Sequence, residues 1–286
     1  MSSDKISANG LAAEAWEGEM GDKWLAHIDR FEGMIAPVGE ALVEKAAVRP
    51  GDRIIDIGCG SGVNSFDLAE RVGPEGLVTG LDISPSLVAE GQHRALARGI
   101  ENVHFVVGDA GMVRIPGEGF DVLFSRFGVM FFEDPYAAFT NMHSFLKSDG
   151  RMIFACWGPP AENPWVSELM AIAADYVELP KPDPRAPGPM AFADPDYVRD
   201  ILEKAGFGHI RIEPWHGRQL VGGKGATPEE AADFVMDVLF PGEALEDQPD
   251  DVKTQARARA LDLFKAAATP DGVSLPCMAW FVSADA

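Results

Sequence analysis

Cysteine is scarce in this 286-residue chain: Cys59, Cys156 and Cys277 stand far apart, and none belongs to a C-x-x-C pair. So odd and sparse a set excludes a disulfide framework and a thiolate zinc site, and points to a reducing compartment. Basic residues are also few, 24 Lys and Arg against 45 Asp and Glu, giving a formal charge of −21. Such a surface repels phosphate backbones and anionic lipid, which argues against nucleic acid as a partner. Long apolar runs are missing. The stretch FDVLFSRFGVMFF is too short to span a bilayer and carries Arg126, so no membrane insertion is expected. The first 20 residues lack a basic start followed by an apolar run, so no export signal is expected. The six histidines form no cluster with cysteines and carboxylates at metal-ligand spacing, so no metal is expected. Neither an internal repeat nor a low-complexity tract occurs. The absences leave the expectation of a soluble cytoplasmic protein, monomer or homodimer. Its 47% apolar content suffices for one large α/β domain with additions.

What is present is concentrated in RIIDIGCGSG, Arg53 to Gly62: a short apolar strand ending on Asp56, three glycines at alternate positions, then a helix start. Glycine lets the backbone turn this tightly and approach a ligand without a Cβ in the way. Val63 stands where the dinucleotide fingerprint G-x-G-x-x-G needs its third glycine, so the loop suits a nucleoside better than a pyrophosphate. That disfavours a nicotinamide oxidoreductase. Twenty residues after Gly62, LVTGLDIS forms a second apolar strand ending on Asp82, whose carboxylate can accept from two ribose hydroxyls.

At these residues the chain resembles the Rossmann-like S-adenosylmethionine (SAM) methyltransferases. Asp56, Gly58, Gly60 and Gly62 match that family's first motif and Asp82 its ribose acid. From Asp56 through Trp157 the chain is most similar to the ubiquinone/menaquinone-biosynthesis C-methyltransferases and their small-molecule relatives. The resemblance implies a seven-stranded, mostly parallel sheet with an antiparallel last strand and helices on both faces. It also implies SAM as cofactor. Gly58 to Gly62, with Cys59 and Asn64, would contact its methionine part. Asp82 would hold the ribose and Ile83 pack on the adenine. Asp109 and the Ala110 amide would face the adenine edge, and Ser125 and Arg126 would lie between cofactor and acceptor. Asp109 as a turn cap and Arg126 as a surface charge are the plainer alternatives.

Along the chain, residues 1–50 read as a polar tail and two helices, with Trp24, His27, Ile28 and Phe31 on one face. Residues 51–157 read as the alternating SAM-binding core. In its last third, a helix from Asp134 carries Phe139, Met142 and Leu146 inward and closes at Gly150, before the strand RMIFACW. Residues 158–193 form an insertion with five prolines between Pro180 and Pro189, so part of it is stiff, extended loop. Residues 194–286 return to the core. HIRIEPW forms the sixth strand and MAWFVS the seventh, with two helices between them at 217–272. Long additions at the ligand edge of an α/β sheet cover the site, so 1–50, 158–193 and 217–272 are expected to form a lid. For 217–272 an oligomer contact is the alternative.

SAM's methyl is already activated, so in-line attack needs mainly proximity, with a general base only where the nucleophile must lose a proton. His27, one turn from Trp24, and His216, beside Trp215 at the end of strand six, are the candidate bases, with Arg126 as a third catalytic candidate. Trp24, Phe127, Met130, Phe131, Trp157 and Trp165 suggest an apolar acceptor pocket, although core packing explains part of the set. Ser125-Arg126-Phe127-Gly128 replaces the Asn/Asp-Pro-Pro-Tyr/Phe of base N-methylation, which points to a small organic acceptor. The acceptor atom, O, N or C, stays open. The rival readings are a SAM-binding enzyme of other chemistry, such as decarboxylation or cyclisation, and a binding module without catalysis.

Overall fold

The computed structural model describes residues 16–116, 119–179, 181 and 183–286. The polar tail expected before the first helix lies outside the described residues, as do Pro180 and Pro182 of the proline-rich insertion. Two helices open the described chain, α1 (Glu19–Ala26) and α2 (Ile28–Ala46). They part at His27, so Trp24 and Phe31 stand on different helices yet stack at 4.0 Å between centroids.

Strands and helices then alternate: β1 (Arg53–Ile57), α3 (Val63–Val72), β2 (Leu77–Asp82), α4 (Pro85–Arg98), β3 (Val103–Val107) and β4 (Phe120–Arg126). A single 3-10 turn at Gly128–Phe131 leads to α5 (Pro135–His143) and β5 (Leu146–Trp157). Next come α6 (Pro164–Ala174), α7 (Pro195–Ala205) and β6 (Gly208–Val221). The chain finishes with α8 (Pro228–Val238), α9 (Phe240–Ala244), α10 (Asp250–Ala266), a two-residue β7 (Ala268–Thr269) and β8 (Gly272–Asp285).

One sheet holds all eight strands in the order β3-β2-β1-β4-β5-β8-β6, with β7 paired to β8. The first five are parallel, while β8 runs antiparallel to β5 and to β6. The expected mixed sheet is present, with the short β7 as an eighth strand. Order reverses at β1, flanked by β2 and β4, and ligands of open α/β sheets sit beyond the strand ends at such a point.

Local chemistry fixes the element ends. Ser84 caps α4, its Oγ accepting from the Leu87 amide, and Asp134 caps α5 by accepting from the Ala137 amide. Thr227 and Glu230 form a capping box at the start of α8, which satisfies two otherwise unpaired donors. One helix is shorter than expected. α5 stops at His143 rather than Gly150, and Leu146 to Gly150 belong to β5. There the Phe120 amide donates to the Phe145 carbonyl, so sheet pairing overrides the helical spacing of Leu146.

Strand six is longer than expected. β6 continues past Trp215 to Val221, paired throughout with β8, so residues 217–221 are strand and the helices of this insertion lie within 228–266. The added segments touch one another. Lys23 of α1 pairs with Glu243 of α9 at 2.6 Å, the Phe31 and Phe234 rings meet edge-on at 5.2 Å, and Arg259 of α10 pairs with Asp175. Among the described residues no helix is long and apolar enough to cross a membrane.

Candidate functional site

The glycine loop joins β1 to α3, and the Gly58 and Cys59 amides both donate to the Leu81 carbonyl of β2. Gly58, Gly60 and Gly62 all have φ in the left-handed region, at +64°, +56° and +87°. Their duties differ. A Cβ on Gly58 would stand 2.6 Å from the Gly128 Cα, and one on Gly62 would strike the Phe105 ring. At Gly60 a Cβ would meet nothing within 4 Å. The outer glycines therefore permit packing, while the middle one leaves bare backbone beside open space.

Asp82 ends β2 against that bare backbone. Its Oδ2 accepts from the Gly60 amide at 2.7 Å and its Oδ1 from the Ser84 amide at 2.9 Å. Each carboxylate oxygen keeps a second lone pair, and the residue is 8% exposed. Burial pushes its pKa above the ordinary carboxylate range, opposed by the Ser84, Gly60 and Ile83 amides. Ile83 follows, half-buried. At the end of β3, Asp109 accepts from the Gly111 amide at 2.7 Å, which leaves its other oxygen without a partner in that turn, and the Ala110 carbonyl accepts from Asn141 Nδ2 at 2.8 Å.

Between the loop and α2 lies a buried polar layer. Asp56 is almost fully enclosed and accepts from Ser65 Oγ at 2.6 Å. Burial pushes its pKa up to about 7, moderated by Ser65 and by the Arg126 guanidinium. Arg126 has its own pKa lowered by burial, against Asp56, Glu32 and Asp67, so it is not a surface charge. Its Nε and Nη1 are buried without a hydrogen-bond partner, and so is Asn64 Oδ1. Gly39 of α2 makes the room: a Cβ there would lie 2.8 Å from Asn64 Nδ2 and 3.1 Å from Arg126 Nη1.

A second network escaped the sequence reading. Ser61 Oγ donates to Glu32 Oε1, and Arg94 Nη1 donates to both Glu32 oxygens at 2.8 and 3.1 Å and to Ser61 Oγ at 3.0 Å. The N-terminal helix α2 is thereby tied to the glycine loop and to α4. The partners lie between 29 and 62 residues apart, and no local pattern marks them.

Two side chains near the loop serve the fold. Ser125 is fully buried, its Oγ donating to the Ile57 carbonyl at 2.7 Å and accepting from the Gly128 amide. Its hydroxyl thus bridges the end of β1 to the turn after β4. Cys59 is buried, its thiol pKa raised well above the ordinary value by burial, so it is inert.

The aromatic candidates fall into two groups. Trp24 stacks on Phe31, and Trp16 meets both Trp24 and Phe131. Phe127 stacks on Trp157 at 4.1 Å, and Trp157 meets Trp165 at 5.0 Å. Phe127 holds φ +65°, a conformation that costs a non-glycine residue of order 1–3 kcal/mol and that clusters at functional sites. Met130 is buried, and its carbonyl accepts from the Gly188 amide at 3.0 Å, which brings the proline-rich insertion onto this turn.

The histidines separate. His27 sits half-buried at the α1–α2 joint, 6.1 Å from the Phe234 ring. His216 lies mid-way along edge strand β6, exposed, with Glu162 at 3.8 Å. Its expected position at a strand end rested on a strand that in fact runs on to Val221, so the structure does not bring it to the loop.

A family model described as a methyltransferase domain matches residues 49–206, more than half of the chain. Aklanonic acid methyltransferase DauC of Streptomyces sp. (strain C5) is 36% identical over 118 residues, 41% of this chain and 54% of that protein. Nocamycin O-methyltransferase of Saccharothrix syringae is 33% identical over 184 residues, 61% of this chain and 66% of its own length. Demethylmenaquinone methyltransferases match as well. The chain spans between about half and two thirds of the length of these curated relatives. The crystal structure of the YcgJ protein from Bacillus subtilis shares the fold, with TM-score 0.57 at 18% identity, covering 87% of this chain and 98% of that one. With the glycine loop, the acid at the end of β2 and the strand order in place, the match leads to one statement: this chain belongs to the methyltransferase-domain family.

Proposed function

We propose that the chain transfers a methyl group from SAM to a small, largely apolar organic acceptor. The observation that carries the reading is the polarity of the loop's surroundings. On one side a backbone-anchored Asp82 offers free acceptor lone pairs beside the bare Gly60 backbone. On the other, Arg126 has unpaired donors and Asn64 an unpaired acceptor oxygen. That set complements a molecule with vicinal hydroxyls at one end and a carboxylate with an ammonium group at the other. Asp82 would hold the ribose, Ile83 the adenine face and Asp109 its amino group, while Arg126 and Asn64 would take the amino-acid end. When bound, SAM supplies a methyl group already activated by its sulfonium.

The remaining task of the protein is to exclude water and to place the acceptor, which can contribute roughly 7–11 kcal/mol of the barrier. Trp24, Phe127, Met130, Phe131, Trp157 and Trp165 supply apolar surface for that placement, and the contacts among α1, α2, α8 and α9 suit a lid made of the added segments. His27, half-buried with its amide bonded to the Trp24 carbonyl, is the proposed base where the acceptor must lose a proton. Relatives named for aklanonic acid and nocamycin support a small organic molecule as acceptor.

The test is calorimetry with S-adenosylhomocysteine, then incubation with SAM and a panel of hydroxylated polycyclic aromatics. Micromolar binding and release of S-adenosylhomocysteine in step with methylated product are expected. Folded protein that ignores the ligand at millimolar concentration refutes the reading.

A further inference from the structure

One face of α2 lies along the glycine loop. Gly39 brings that face against Asn64 and Arg126, and Glu32, two turns earlier, brings it against Ser61. Glu32 Oε1 accepts from Ser61 Oγ, and both Glu32 oxygens accept from Arg94 Nη1. Ser61 is buried, and the Arg94 and Glu32 side chains are only 15% and 16% exposed. Arg94 is itself aimed by Glu90, one turn earlier on α4, whose Oε1 accepts from its Nε at 2.7 Å.

The two partners of Glu32 belong to the two segments that grip Asp82. Ser61 follows Gly60, whose amide donates to Asp82 Oδ2, and Arg94 belongs to α4, whose cap Ser84 donates its amide to Asp82 Oδ1. Glu32 thus joins both arms of the grip from a helix that precedes the alternating core. The other end of α2 has anchors of its own: Val38, Leu42 and Val43 are buried, Lys45 pairs with Glu213 at 2.8 Å, and Arg151 donates to the Ala46 carbonyl at 3.0 Å. An apolar contact near Glu32 would serve stability as well as a desolvated ion pair does. What the carboxylate adds is direction, because charge-assisted hydrogen bonds set where Ser61 and Arg94 stand.

We propose that Glu32 is a positioning residue for the cofactor: by holding Ser61 and Arg94 it fixes the glycine loop and α4 in the spacing that Asp82 needs, and it couples α2 to cofactor occupancy. The inference rests on the SAM-binding reading of the site. Linkage makes the coupling reciprocal. If α2 seated through Glu32 strengthens cofactor binding, bound cofactor must seat α2 by the same factor.

The experiment uses the full chain and S-adenosylhomocysteine, with Glu32→Gln, Arg94→Met, their double variant and, as a control, Lys45→Met, which loosens only the other end of α2. The Glu32 charge also faces Arg126, and Arg94→Met, which leaves that charge in place, separates the two effects. The ligand is expected to leave both single variants about tenfold faster than wild type, with association changed by less than about threefold. The double variant should release it within about twofold of either single one, because both residues belong to one network. Lys45→Met should release it at the wild-type rate. Hydrogen exchange gives the readout that a merely structural role would not move. Bound ligand should slow exchange across α2 in wild type and in Lys45→Met, and should not do so in Glu32→Gln. Release from Glu32→Gln within about twofold of wild type overturns the proposal, as do multiplying effects in the double variant. A Lys45→Met variant as leaky as Glu32→Gln overturns it too, as does ligand-slowed exchange of α2 in Glu32→Gln. Should Glu32→Gln fail to fold, Arg94→Met and Ser61→Ala carry the same test. Failure of the wild type to bind S-adenosylhomocysteine overturns the underlying reading instead, so the two failures are distinct.

Discussion

Replacing Asp82 by Asn preserves size and removes charge. The native carboxylate accepts from the Gly60 amide at 2.7 Å and from the Ser84 amide at 2.9 Å, one on each oxygen. An asparagine has one acceptor oxygen and must turn its NH2 toward the other amide. One backbone N–H is then buried without a partner, at a cost of about 1–3 kcal/mol. The charge-assisted bonds proposed to the ribose hydroxyls, of order 1.5–3 kcal/mol each, weaken as well. If about 3–4 kcal/mol of the binding is lost, S-adenosylhomocysteine affinity falls roughly 100- to 1000-fold. The loop term shows separately, as a fall in Tm of about 5 °C. Isothermal titration well below the transition, with a thermal melt of the same sample, measures both. A variant whose Tm drops while its affinity stays within threefold of wild type would refute the reasoning, since Asp82 would then serve the loop alone.

Further outcomes follow from other parts of the site. Asp56, with its pKa pushed up to about 7 by burial, holds a proton more tightly when folded than unfolded. Its contribution to stability is full below about pH 4 and is lost as pH rises through about 7, an effect of at most about 4 kcal/mol. Urea unfolding between pH 5 and 8 should give a flatter pH dependence for Asp56→Asn than for wild type, and equal slopes would count against the assignment. Gly58→Ala, whose Cβ would sit 2.6 Å from backbone at Gly128, should fold poorly or not at all. Gly60→Ala, open on that side, should lose only the roughly 1–2 kcal/mol of a left-handed alanine, and denaturant midpoints compare the two. Glu32→Gln removes the charge that holds Arg94 and Ser61, so hydrogen exchange should quicken in α2 while the β1–β4 core stays protected; uniform exchange in both variant and wild type would contradict the tie.

The alternation of strands and helices, the loop and the acid at the end of β2 were legible because each is written in a few adjacent residues. Apolar runs of strand length, a Ser-Pro or Thr-Pro cap and glycines at fixed spacing act within one turn of the chain. Sequence spacing failed where long-range pairing decided the outcome. Leu146 has helical spacing from Phe139 and Met142, yet the amide of Phe120, 26 residues earlier, pairs with the chain at Phe145 and holds that stretch in the sheet. The expected sixth strand, HIRIEPW, stops at Trp215. The strand persists because β8 offers partners up to Val273, and the Trp215 ring covers the position where a Gly217 side chain would stand.

The same distinction runs through the site. Asp82 announced itself by ending an apolar strand at a set distance from the glycines. Glu32 and Arg94 gave no such signal, because each is defined by what the fold brings to it. Arg126 shows both sides. Its place at a strand end was readable, but its enclosure depends on Gly39, a residue of α2 whose lack of a side chain matters only once that helix lies across β4. In this chain the glycine loop and Asp82 are written locally, whereas the proposed acceptor wall is assembled from distant segments. Variation in acceptor among relatives with a shared glycine loop is therefore the outcome expected on physical grounds: the added segments can change while β1 to β4 keep the glycine loop and Asp82 in place.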